Sequence, residues 1–281
     1  MKKNPWMMLG AAVFVVAAFL FWRKFHSRGP VIVAVVDTGV NPSEPEMQGH
    51  LLTAGAWNYF DSNNDTRDEE GHGTEAAHRI LSICPACRIL PLKVTRHGAG
   101  VRVADLENAI TRAVDQGAKV INLSFGVVAP ATDALKKAAE RAEAKGALLV
   151  AAAGTGAPNP FQSLELTQLV PQSLDHTLVV GVAPAADKPE PILNRGRQLA
   201  FSVIHGVDLP KRGSSYAAAE VSGWAGCRLS HGAPSPETLR ADARALAKAH
   251  AAAGIDPNRV GAGAVTLDQL KQDSGMCEAS E

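Results

Sequence analysis

Five largely apolar runs follow one another between residues 31 and 183, and they restrict the fold more than any other feature of the chain. Their sequences are VIVAVVD, CRILPLKV, AKVINLSFG, ALLVAAAG and HTLVVGVA. A continuous apolar run is typical of a strand covered on both faces, as in a parallel sheet. Helical patterns at 103–117 and 131–146, each closed by a glycine, lie between runs. This alternation predicts an α/β fold with a mostly parallel central sheet.

The N-terminus carries a different pattern. Residues 6–22 are 17 uncharged, largely apolar residues with tryptophan at both ends and basic residues on either side. As a helix they span about 26 Å, near the lower limit for crossing a bilayer. We expect a single-pass membrane anchor within 1–28, with the remaining chain on the extracytoplasmic side. The alternative is a cleaved signal peptide, which usually ends in small residues rather than in FLFWRK.

The soluble part shows no linker, so we expect one domain over 29–275 and a tail over 276–281. Lysine plus arginine equal aspartate plus glutamate, 28 against 28, and this balance argues against a nucleic-acid partner.

Cys84 and Cys87 form a C-x-x-C pair that is open to three interpretations: a redox pair, half of a zinc site, or a local disulfide or two free thiols. No second pair or nearby histidines complete a zinc site.

Three polar residues have the surroundings that a serine nucleophile needs. Ligand-binding residues of parallel sheets gather where strands end, and Asp37 ends the first apolar run. His72 lies between two glycines before an apolar helical pattern that Thr74 can cap, and Ser215 begins an alanine-rich helix. A serine needs a base, usually histidine, which a buried carboxylate orients. The order Asp, His, Ser is that of subtilisin.

These segments identify the chain as resembling the subtilisin-like serine proteases, or subtilases. VVDTGV resembles the Asp motif of that family, GHGTEAA its His motif and GSSYAAAEVSG its Ser motif. AKVINLSFG, LLVAAAGTG, VPQSLDHTLVVGVAP and NRVGAGAVTLDQL are similar to further family segments. The resemblance covers nearly all of the soluble chain. It implies a three-layer fold and hydrolysis of peptide bonds by Asp37, His72 and Ser215 through an acyl-enzyme, without a required cofactor.

The resemblance also assigns the substrate site. It implies that an extended peptide or protein substrate binds as an added strand along Ser124, Phe125 and Gly126. Ala153 and Gly154 would wall the first specificity pocket. The apolar walls suggest an apolar or broad preference.

Several family residues are replaced. Thr155 stands where the family has its oxyanion-hole asparagine, so the oxyanion donors would be the Ser215 N–H and the Thr155 hydroxyl. Tyr216, Ala219 and Glu220 replace the usual Met, Pro and His after the nucleophile, and Glu75 replaces the second His of the His motif. The short N-terminus leaves no room for the folded propeptide that the family usually carries, so we expect folding to proceed unaided or with a partner.

One acidic loop is a candidate metal site. Asp61, Asn63 and Asp65 present oxygen atoms at two-residue spacing, as a calcium loop does, and the alternative is a solvated loop.

Our functional hypothesis is a membrane-anchored serine endopeptidase. Its rivals are a peptide-binding pseudoprotease, motivated by Thr155, and a thiol–disulfide protein that uses Cys84 and Cys87.

Overall fold

The computed structural model describes residues 29–96, 99–154, 164–188, 193–205, 213–232, 234–254 and 256–275. The strands in these residues are β1 Ile32–Asp37, β2 Trp57–Asn58, β3 Arg88–Lys93, β4 Val120–Leu123, β5 Val127–Val128, β6 Leu148–Ala152, β7 Leu169–Val170, β8 Thr177–Ala183, β9 Leu199–Ile204 and β10 Ala264–Val265. The α-helices are α1 His72–Ile83, α2 Val103–Asp115, α3 Asp133–Ala144, α4 Ser214–His231, α5 Pro236–Ala249, α6 Pro257–Val260 and α7 Leu267–Ser274. Short 3₁₀ helices cover Pro45–Met47 and Leu166–Gln168.

Eight strands form one sheet in the order β10-β9-β8-β6-β4-β1-β3-β2. Every pairing in this sheet is parallel, so all eight strands end at the same edge. The chain leaves β1 toward β3 on one side and returns to β4 on the other side. Ligands of open α/β sheets bind at such a reversal, and Asp37 ends β1 there. β5 and β7 form a separate antiparallel pair.

The sheet is covered on both faces, which explains why its strands are apolar throughout. Along β1, Val33 and Val35 belong to one buried cluster, while Ala34 and Val36 belong to another. The first cluster packs the sheet against α1, α4 and α5, and the second packs it against α2 and α3. The predicted three-layer α/β fold with a central parallel sheet is confirmed.

Helices α1 and α4 approach each other at glycines. A Cβ atom added at Gly223 would lie 2.6 Å from the carbonyl oxygen of Ile80, and one at Gly226 would lie 2.6 Å from Sγ of Cys87. Glycine within a helix costs about 1 kcal/mol relative to alanine. At Gly223 it allows the two main chains to meet, and at Gly226 it leaves room for the Cys87 sulfur. Cys84 and Cys87 are joined in a buried disulfide beside this contact, at the end of α1.

Some sequence predictions fall on residues that the structure does not describe. These are the anchor at 6–22, Thr155 and the tail at 276–281. Within the described ranges, every helix is too short or too polar to cross a membrane. The described residues from Val31 onward form one compact unit.

Candidate active site

Asp37 and His72 are in direct contact. Nδ1 of His72 lies 2.7 Å from Oδ1 of Asp37, which also accepts the N–H of Thr38 at 2.7 Å. A carboxylate only accepts hydrogen bonds, so Nδ1 carries the proton and Nε2 is left as the basic nitrogen. The Asp37 side chain is 2% exposed and its Oδ2 has no hydrogen-bond partner among the described residues. Its two hydrogen bonds, from His72 and from the Thr38 N–H, both go to Oδ1.

A second carboxylate shapes the loop before His72. Asp68 accepts the N–H groups of Glu70 and Gly71 at 2.9 Å each, and the N–H and hydroxyl of Thr74 at 2.9 and 2.7 Å. Burial raises the pKa of Asp68, but these hydrogen bonds outweigh it and hold the pKa below its usual value. Thr74 was expected to cap the helix, but α1 begins earlier, at His72. The N–H of Gly73 is accepted by the Thr38 hydroxyl and that of Thr74 by Asp68 instead.

Negative charges surround the imidazole. The hydrogen bond that His72 donates to Asp37 raises the pKa of His72 above its usual 6.5, burial opposes this shift, and the charges of Asp37, Asp68 and Glu70 add to it. A cavity of about 420 Å³ beside the ring is lined by Glu69, Glu70, His72 and Arg96. His72 keeps a side chain that is 35% exposed, so a substrate can reach it.

Ser215 lies in the first turn of α4, beside the strand end at Ser124. Its Oγ donates to the carbonyl oxygen of Ser124 at 2.9 Å, and Oγ of Ser124 donates to the carbonyl oxygen of Ser215 at 2.8 Å. The next residue, Tyr216, brings its ring within 5.6 Å of the His72 ring, centroid to centroid. Asp37, His72 and Ser215 thus come from three elements to one edge, although no His72–Ser215 hydrogen bond forms between these two described residues.

Gly213 is the N-cap residue of α4. It has φ 153°, a value that residues with a side chain rarely adopt, and it caps the helix without a side chain of its own. Ser214 then turns inward, and its Oγ accepts the N–H of Gly154 at 2.9 Å. This bond joins the start of α4 to the residue directly before Thr155. The Thr155 side chain itself lies outside the described residues.

The two segments predicted to bind substrate leave adjacent parts of the sheet, after β4 and β6. The buried amide of Gln172 donates to the carbonyl oxygen of Phe125 at 2.8 Å and to that of Ala152 at 2.6 Å, and so joins them. Asn194 similarly donates to the carbonyl oxygen of Ala153 at 2.9 Å. Sequence reasoning missed both amides because nothing nearby in the sequence marks them.

The predicted calcium loop has protein partners for its carboxylates. The amide of Asn58 donates to Asp61 at 2.9 Å, and Arg67 binds both oxygens of Asp65, the shorter ion pair being 2.6 Å. Asn63 accepts the N–H of Asp65 at 2.8 Å. The side-chain hydrogen bond from Arg67 lowers the pKa of Asp65 to about 2. Calcium binding by this loop stays a prediction.

Comparison with known proteins settles the family. The sequence profile described as the subtilase family matches residues 29–263. The chain belongs to the subtilase family. It is 30% identical over 221 residues to a thermophilic serine proteinase of Bacillus sp. (strain AK1), covering 71% of this chain and 52% of that protein. It is 34% identical over 140 residues to thermitase of Thermoactinomyces vulgaris, covering 45% and 49% respectively.

The subtilase chain thus spans about half the length of these curated relatives. Solved structures agree on the fold. The crystal structure of a lanthipeptide protease superposes with a TM-score of 0.72 at 23% identity, covering 90% of each chain. A cold-adapted subtilisin-like serine proteinase superposes with a TM-score of 0.63 at 21% identity, covering 77% of this chain and 82% of that one.

Proposed function

We propose that this subtilase is a membrane-anchored serine endopeptidase whose triad is Asp37, His72 and Ser215. The observation that carries the proposal is the 2.7 Å hydrogen bond from His72 to a buried Asp37 at the sheet edge where α4 presents Ser215. The bond fixes the imidazole in the tautomer that can take a proton from a serine hydroxyl.

The steps follow from these positions. Ser215 Oγ rotates away from the Ser124 carbonyl and attacks the peptide carbonyl carbon, while its proton passes to Nε2 of His72. Asp37 stabilises the resulting imidazolium. The Ser215 N–H and the Thr155 hydroxyl hold the oxyanion. His72 then protonates the leaving amine as the C–N bond breaks, and water attacks the acyl-enzyme by the reverse sequence. None of these steps needs a cofactor.

A fluorophosphonate probe tests this proposal. The serine oxygen displaces fluoride from phosphorus, so the folded protein should gain one phosphonyl group on Ser215, located by mass spectrometry of peptides. Protein unfolded in denaturant should gain none, because the activated serine exists only in the folded site. Absence of an adduct on folded protein, or an adduct that forms equally after unfolding, would contradict the proposal.

Activity should depend on pH through His72. The general base must be neutral, and contact with Asp37 raises its pKa above 6.5. The kcat/KM should therefore fall about tenfold per pH unit on the acid side, with the midpoint of that limb above pH 6.5. A series of initial rates at low substrate concentration between pH 5 and 9 measures it. A midpoint below 6.5 would mean that Asp37 does not support the imidazolium.

We further propose that residues 6–22 anchor the enzyme with its catalytic domain on an oxidising, extracytoplasmic side. The Cys84–Cys87 disulfide supports this side, because such bonds persist mainly outside reducing compartments. Full-length protein should stay with membranes after an alkaline wash, whereas a chain lacking 6–22 should not. Alkylation of cells lysed directly into denaturant without reductant should find Cys84 and Cys87 protected, because thiols that are only buried would then react. Recovery of both forms in the wash would rule out an anchor.

The rival function is a peptide-binding module without turnover. Thr155 and the engagement of the Ser215 hydroxyl by Ser124 favour it. The thiol–disulfide function has less support, because Cys84 and Cys87 are buried at the C-terminal end of α1. Reactive cysteines are partly exposed and often lie at a helix N-terminus.

A further inference from the structure

The helix that carries Ser215 contains a fully buried carboxylate, Glu220. Both of its oxygens are used: Oε1 accepts Nη1–H of Arg79 at 2.8 Å, and Oε2 lies 2.8 Å from Nε2 of His205. Arg79 also binds Glu75 at 2.9 Å. A buried carboxylate is costly unless it is paired in this way. We call Arg79, Glu220 and His205 the buried network.

One end of the network reaches the start of the nucleophile helix. His205 follows β9 directly and is 1% exposed. Its Nδ1 accepts the N–H of Gly213 at 3.3 Å, so Nε2 carries the proton that Glu220 accepts. Gly213 is the residue that sets the entry to α4, two positions before Ser215. A change in the orientation of the His205 ring would therefore shift Gly213 and, with it, Ser215.

The other end reaches the general base. His72, Glu75 and Arg79 lie at positions i, i+3 and i+7 of α1, on one face. The Arg79 guanidinium lies 5.5 Å from the centre of the Tyr216 ring, and that ring lies 5.6 Å from the His72 ring. Glu75 and Glu220 hold the guanidinium from two sides. Tyr216 is thus packed between a fixed cation and the imidazole.

We propose that the buried network is a positioning device for catalysis, acting on Ser215 through Gly213 and on His72 through Tyr216. The proposal rests on the proposed endopeptidase function. Glu75 stands where the family's His motif has its second histidine, and Glu220 stands where the Ser motif has histidine. Arg79 binds both carboxylates. The ion pair between Arg79 and Glu220 thus joins α1, which carries His72, to α4, which carries Ser215.

Glu220→Gln is the sharpest test. Glutamine keeps the size of glutamate, but one of its two terminal atoms is a donor, so it cannot accept from Arg79 and His205 together. We expect kcat to fall about 10- to 100-fold, with KM changed less than about threefold, because alignment rather than substrate binding is lost. Glu220→Asp, which restores two acceptors, should recover part of the loss.

Arg79→Met tests the arm toward His72. It should lower kcat about tenfold, and it should have little further effect in a Tyr216→Leu background, because both changes break the same contact. The matched control is Arg240→Met. Arg240 forms a comparable ion pair with Glu143 at 2.7 Å and is 11% exposed, but it joins α5 to α3 away from the site. Arg240→Met should lower the free energy of unfolding and leave kcat unchanged.

The His72 imidazole resonances give a readout that needs no turnover. In the Ser215→Ala background they should move with Glu220→Gln and with Arg79→Met, but not with Arg240→Met. If the folded variants keep wild-type kcat and unmoved resonances, the network is only structural and the proposal is wrong. A wild type that no fluorophosphonate labels would instead reject the proposed function, while the resonances would still decide whether the network positions His72.

Discussion

Replacing Ser215 by alanine is expected to lower kcat by about 10⁶, the size of the loss for the nucleophile of subtilisin. The alanine variant keeps the Asp37–His72 bond and the helix start, so substrate should still bind and KM should change little. The measurement is the hydrolysis of a peptide ester or amide, with the concentration of sites taken from titration with a fluorophosphonate in the wild type. A residual rate above about 10⁻³ of the wild-type rate would mean that another group performs the attack.

Ser214 is the matched control, because the two serines are adjacent and differ in what they contact. The Ser214 hydroxyl is buried and accepts the N–H of Gly154, whereas the Ser215 hydroxyl lies at the strand end of Ser124. Ser214→Ala should keep fluorophosphonate labelling and lose about tenfold in kcat, through a looser segment before Thr155. Equal losses in the two variants would contradict the assignment of the nucleophile.

Replacing Thr155 by asparagine is expected to raise kcat about 10- to 100-fold, because the threonine hydroxyl already supplies part of the roughly 10²- to 10³-fold effect of an oxyanion-hole asparagine. The longer amide supplies a donor to the oxygen that becomes negative as the tetrahedral intermediate forms. Because this donor meets the transition state rather than the bound peptide, KM should change little. The N–H of Gly154 is held by the Ser214 hydroxyl, so the backbone directly before the new side chain is fixed.

Thr155→Val separates the two functions that we consider. Valine has the shape of threonine without the hydroxyl, and a roughly tenfold loss of kcat would show that the threonine hydroxyl already donates. No loss with valine and a large gain with asparagine would mark the wild type as a weak enzyme or a peptide-binding module. No gain with asparagine in protein that still labels at Ser215 would show that the oxyanion is held by other donors.

The sheet and the family were predictable from the sequence because both depend on local patterns. Continuous apolar runs such as 31–37 and 147–154 leave few alternatives to buried parallel strands. The motifs around Asp37, His72 and Ser215 carry their order and their glycines with them. Strand β9 was not predicted, although five of its six residues are buried.

The contacts around the site were not predictable in the same way. Glu220 looks like an isolated charge in an alanine-rich helix, and its partner Arg79 lies 141 residues earlier in the chain. Only tertiary packing brings the two together. Gln172 likewise joins Phe125 and Ala152 across two loops. The direction of the Ser215 hydroxyl, toward Ser124, depends on a rotamer that no sequence pattern specifies.

The glycine contact between α1 and α4 has a consequence for how this active site can change. Where Gly223 meets the Ile80 carbonyl, main-chain atoms set the spacing of the two helices. Exchanges of exposed side chains on either helix then leave the spacing of His72 and Ser215 intact, whereas changes in the buried network do not. The segments predicted to bind substrate depend instead on side chains: Gln172 joins Phe125 to Ala152, and Asn194 joins Ala153 to Leu164. If the proposed function holds, mutation of these two amides can therefore change peptide preference without moving the main-chain contact between α1 and α4.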